Sequence, residues 1–113
     1  MPNQLNTPYE KGNRNQTTTW AECIAWYEDL ARNYPGVLRF GVVGTSDAGV
    51  PIHAGVVSAD GVFGREQIKK SGRPVFFNNN GIHPGEPEGV DACMALVRDF
   101  CLEPARLAAL GDT

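Results

Sequence analysis

His83 and Glu86 are the residues whose types and spacing most directly suggest chemistry. An imidazole and a carboxylate three apart fall on one side of a loop or first helical turn, where both can reach one divalent cation, and the pair suits zinc. Their neighbours restrict them. Pro84 pushes His83 towards extended backbone, and Pro87 suits the first position of a helix, which leaves Glu86 beside its cap. Ligands preset in this way lose less entropy on closing around a metal. The spacing alone is a common one, and a loop histidine followed by a helix-capping glutamate is the plain alternative to a metal site.

The pair emerges from the stretch Arg73-Pro74-Val75-Phe76-Phe77-Asn78-Asn79-Asn80-Gly81-Ile82-His83-Pro84-Gly85-Glu86-Pro87-Glu88-Gly89. Val75, Phe76 and Phe77 are an unbroken apolar run after a proline, which predicts a short strand buried on both faces. The three asparagines and Gly81 then signal a loop, because these residues tolerate left-handed backbone and asparagine bonds back to its own main chain. Residues 87–102 follow as a long helix with Val90, Cys93, Met94, Val97, Phe100 and Cys101 on one face, while Gly89 and Ala92 allow close approach to the sheet. Glu103-Pro104 breaks it, and residues 105–110 add a short helical turn.

Arg-Pro, a hydrophobic strand and then Gly-Ile-His-x-x-Glu entering a helix resemble the first zinc-binding segment of the zinc metallocarboxypeptidases, the carboxypeptidase A and B type. Pro84-Gly85 between the ligands and Pro87-Glu88-Gly89 after them look like the bacterial members. The resemblance implies that His83 and Glu86 are two ligands of a His₂Glu site for Zn²⁺. It also implies a peptide or amide substrate, hydrolysed at its C-terminal peptide bond. In that family the third ligand, a histidine, comes much later, as do the arginine that holds the substrate carboxylate and the catalytic glutamate. None has a counterpart here, so the resemblance implies an amino-terminal part of a catalytic domain, inactive by itself. A related amide deacylase of the aspartoacylase type shares a His-x-x-Glu zinc segment, with Gly-Asn rather than Pro-Gly between the ligands. A non-catalytic binding or structural module, its loop no more than a turn, is the reading from another class.

Elements earlier in the chain fit the same order. Thr19 with Glu22 is a capping-box pattern, so a helix starts near Trp20, with Trp20, Cys23, Ile24, Tyr27, Leu30, Ala31 and Tyr34 on one face until Pro35-Gly36 ends it. Residues 38–43 and 52–57 are rich in β-branched side chains and read as a hairpin around residues 44–51. Gly44-Thr45-Ser46 and Pro51-Ile52 also resemble the carboxypeptidase pattern. His53 lies in the second of these strands and reads as a strand-surface or core histidine. Residues 58–72 are a connection with a helical turn near 65–70, their charges a solvated surface. The fold class is thus α/β, helices packed on a mixed β-sheet. The resemblance makes it a partial carboxypeptidase-like α/β/α domain of the phosphorylase/hydrolase-like kind, preceded by a polar segment at residues 1–18.

Composition narrows the partners. The chain has 113 residues, 42% hydrophobic and 20% charged, with a net charge of −3, which suits one globular domain. There is no basic stripe for a phosphate backbone, so nucleic-acid binding is not expected, and no apolar run long enough to span a bilayer. Residues 1–18 lack the hydrophobic core of a signal peptide, which leaves open a cytoplasmic protein or one numbered after a removed signal. Cys23, Cys93 and Cys101 are odd in number and have no Cys-x-x-Cys spacing, so they read as buried free thiols. The outer strands of such a domain expose unpaired edges, and the isolated chain is expected to be marginal or aggregation-prone.

Overall fold

Both N-terminal helices begin with reciprocal capping. In the computed structural model, which describes residues 5–111 and 113, the Thr7 and Thr19 hydroxyls accept from the N–H groups of Glu10 and Glu22. Those glutamates in turn accept the caps' own N–H groups. Two orphan donors are satisfied at each end. The caps start α1 (Pro8–Lys11) and α2 (Trp20–Asn33). The second is the helix that the sequence predicts. The first falls in the segment read only as polar, because four residues are too few for a periodicity to show.

α2 buries Trp26 and Leu30, with Cys23, Tyr27, Ala31 and Tyr34 beside them. This stripe keeps the predicted three-and-four spacing but is turned from the expected one: Trp26 lies inside, and Trp20 is 57% exposed. The hairpin follows as β1 (Leu38–Thr45) and β2 (Pro51–Val57), paired antiparallel. Leu38 faces Val57, Phe40 faces Gly55 and Val42 faces His53, so these residues share one face. An extra residue at Val43 shifts the register before Gly44 pairs with Ile52. α2 lies on this face, where the Tyr27 ring stacks on Phe40 at 5.1 Å and Phe40 on His53 at 5.4 Å.

Three further helices complete the described structure: α3 (Arg65–Ser71), α4 (Glu88–Leu102) and α5 (Pro104–Ala108). Met94 of α4 is fully buried and closes a small core with Trp26, Leu30 and Leu38, flanked by Val90, Val97 and Cys101. The fold is therefore α/β, helices packed against a small two-stranded antiparallel sheet.

Val75, Phe76 and Phe77 correct the sequence reading. They form no strand, and they are 71%, 82% and 82% exposed. A strand buried on both faces needs neighbours to take its N–H and C=O groups and a layer on either side. Among the described residues β1 pairs only with β2, so the run has no ladder to join.

Charges also do more than solvate the surface. Arg73 donates through both terminal nitrogens to Asp60, at 3.1 and 2.9 Å, which ties the two ends of the 58–73 connection together. Arg73, the Ser58 hydroxyl and the Val62 N–H hold the Asp60 carboxyl well below the usual carboxylate range. At the opposite end, Arg98 of α4 bridges Glu10 of α1 at 2.5 Å and Asp99 at 3.0 Å, and Asp99 also meets Arg106 of α5 at 3.0 Å.

Candidate metal centre

The loop carrying His83 and Glu86 is shaped from both ends by α4. The expected left-handed backbone occurs at Gly81, with φ of 66°, and not at any of the three asparagines before it. Those asparagines act through their side chains. The Asn78 amide donates to the Cys93 Sγ at 3.5 Å, and the Asn80 side chain lies against Gly89 in the first turn of α4. Gly85, with φ of 84°, turns the chain back so that Pro87 is the N-cap of α4 and the helix begins at Glu88, one residue later than the sequence reading gave it.

This turn brings the two predicted ligands together. His83 Nδ1 stands 2.9 Å from Glu86 Oε1, with the side chains 71% and 43% exposed. Two donors on one tetrahedral zinc, each about 2.0 to 2.1 Å from the ion, are about 3.3 Å apart. The observed pair is hydrogen-bonded at 2.9 Å, closer than that spacing, so a cation would replace this hydrogen bond; an imidazole with a carboxylate is a donor set that zinc accepts. Exposure leaves room for further ligands on the outer side.

Among the described residues no group of three or more His, Cys, Asp or Glu is arranged to hold a metal. His53, the one other histidine of the sequence, is engaged in the hairpin instead. Its ring stacks on Phe40 and meets Trp20 edge-on at 6.1 Å, and its Nδ1 is buried without a hydrogen-bond partner among the described residues. The placement agrees with the sequence reading of a histidine outside the site.

The thiols are free and half-buried, as expected of small hydrophobic side chains. Burial pushes Cys23 up to about 11, helped by the Asp91 carboxylate and by Cys93, and burial alone does the same to Cys101. Neither is an activated nucleophile at neutral pH.

Sequence reasoning missed Asp91. It lies on the otherwise apolar side of α4, buried, and accepts from Thr17 and Thr18 just ahead of α2. The available signal was a carboxylate one position after Val90 on the inward face, facing a Thr-Thr pair that precedes a helix cap.

The scaffold is a mixed α/β one that presents a His-x-x-Glu pair at a helix entrance. The sequence model of the zinc carboxypeptidase family matches residues 23–112, from within α2 to beyond α5, and the chain belongs to that family. The family is one of hydrolases that act as carboxypeptidases. Neither a curated protein nor a solved structure matches the chain. No helix among the described residues is long and apolar enough to cross a membrane.

Proposed function

We propose that the chain carries two of three zinc ligands, His83 and Glu86, of a metallocarboxypeptidase that hydrolyses C-terminal peptide bonds. The observation that carries this reading is the 2.9 Å approach of Nδ1 and Oε1 on a loop turned by Gly81 and Gly85. Membership of the zinc carboxypeptidase family supports it. A zinc ion in such a site supplies Lewis-acid polarisation of a carbonyl and an acidified water. The residues of this chain supply the hold on that ion: His83 a neutral nitrogen donor, Glu86 a charge that partly balances the cation, and the loop their shared direction. The reading assigns this chain two ligands and no third ligand, base or substrate anchor, since no described residue joins His83 and Glu86 as a third metal donor.

Titration calorimetry with zinc on the chain, beside His83→Ala and Glu86→Ala, tests the reading, with C-terminal peptide cleavage and N-acyl amino acid cleavage assayed on the same samples. Binding that falls by about tenfold or more in both variants is expected. Equal binding in all three proteins removes the site, and cleavage of the acyl substrate alone moves it to the deacylase class.

A further inference from the structure

We propose that Gly89 is a positioning residue for the His83–Glu86 pair, its bare Cα forming the seat on α4 that Asn80 occupies. The role concerns a zinc site and so rests on the reading just given.

Gly89 lies in the first turn of α4 and has ordinary helical backbone, so its conformation does not require glycine. Helix propensity argues against it there, since alanine favours a helix more. Space is the remaining reason. A Cβ at Gly89 would stand 2.8 Å from Asn80 Oδ1, 3.2 Å from its Cγ and 3.3 Å from its Cβ. Turning the end of the asparagine relieves the first contact but not the last, which is at the root of the side chain. An alanine therefore has to shift the root of Asn80, and the loop main chain with it, by a few tenths of an ångström.

The next residue rests on the same helix. A Cβ at Gly81 would meet Val90 Cγ2 at 3.1 Å, so the loop lies flat on α4 at two successive positions. From there the chain arcs outward through His83 and returns through Glu86 into the same first turn. Both feet of the arc stand on α4, and Gly89 sets the height of one of them. Raising that foot alters the relation of Nδ1 to Oε1 without touching either ligand. Metal sites are sensitive to such supports.

The test compares the full chain with Gly89→Ala, Asn80→Gly and the double variant, using His83→Ala as the ligand control. Three quantities are read: the thermal midpoint, zinc affinity by calorimetry, and the His83 ring signals by NMR in the zinc-free protein. Gly89→Ala is expected to melt no lower than the parent, to bind zinc about tenfold more weakly and to shift the His83 ring signals. Removing the Asn80 side chain in the double variant is expected to restore affinity and ring signals to those of Asn80→Gly alone. Unchanged affinity and ring signals in Gly89→Ala overturn the proposal, as does a loss that Asn80→Gly fails to restore. If His83→Ala leaves zinc binding intact, the zinc reading falls, and the ring signals alone then decide whether Gly89 seats the loop.

Discussion

Asp91 accepts twice from Thr18, from its main-chain N–H at 3.1 Å and its hydroxyl at 2.5 Å, while its second oxygen takes the Thr17 hydroxyl at 2.6 Å. The helix that the His83–Glu86 loop enters is thereby fastened to the residues that launch α2. A carboxylate in a first helical turn is also favoured by the aligned peptide dipoles. Asp91→Ala leaves three donors without their acceptor in a partly buried place, and stability should fall by about 2–4 kcal/mol. Asp91→Asn keeps the shape and should cost about 1–2 kcal/mol. Urea unfolding with an unchanged slope of free energy against urea checks both values.

A second tie joins α1 to α4 through Glu10 and Arg98, both largely shielded from solvent. Burial alone would raise the Glu10 carboxyl. The Thr7 N–H and the Arg98 guanidinium outweigh it and hold the group below its ordinary 4.5. A carboxylate whose folded value is depressed stabilises the fold above the unfolded value, and that contribution disappears as pH falls through the folded one. Glu10→Gln should therefore cost about 1–2 kcal/mol at pH 7, and the difference from the parent should begin to shrink below the ordinary 4.5 and vanish only below the depressed folded value. Unfolding curves at a series of pH values show whether the two proteins converge.

The raised thiols act at the alkaline end. Cys23 and Cys101 ionise near 9 when unfolded but only near 11 in the fold. Between these values the unfolded chain has lost protons that the folded chain keeps, so stability must decline as pH rises. Replacing both cysteines with alanine should flatten this decline. At pH 7.5 iodoacetamide should modify both thiols far more slowly in the native chain than in urea, as peptide mapping would show.

What could be read from the sequence depended on the range of the interaction involved. Thr19 with Glu22 and His83 with Glu86 are set by spacings of three, and the hairpin of β1 and β2 by two β-branched runs around a turn, and all were legible. Asp91 with Thr17 and Arg98 with Glu10 join residues far apart in the chain. No periodicity announces such partners. The seat of Asn80 on Gly89 was half legible: the glycine marked a close approach, but its partner is the ligand loop and not the sheet. Val75, Phe76 and Phe77 failed for another reason. An apolar run reports a tendency to be covered, whereas a strand also needs a neighbour to pair with.

That run supplies the last prediction. Phe76 and Phe77 are each 82% exposed, and Val75 and Ile82 nearby are 71% and 63% exposed, so four large apolar side chains lie close in sequence in contact with water. Exposed apolar area of this kind promotes association. None of the four belongs to the core of Trp26, Leu30, Leu38 and Met94. Substituting them should therefore change solubility and leave folding stability within about 0.5 kcal/mol. Phe76→Lys with Phe77→Lys is expected to lower binding of the dye ANS, raise the monomer fraction in sedimentation, and keep the thermal midpoint. A midpoint that drops sharply would show instead that the phenylalanines hold the fold, and that their cover comes from within the chain.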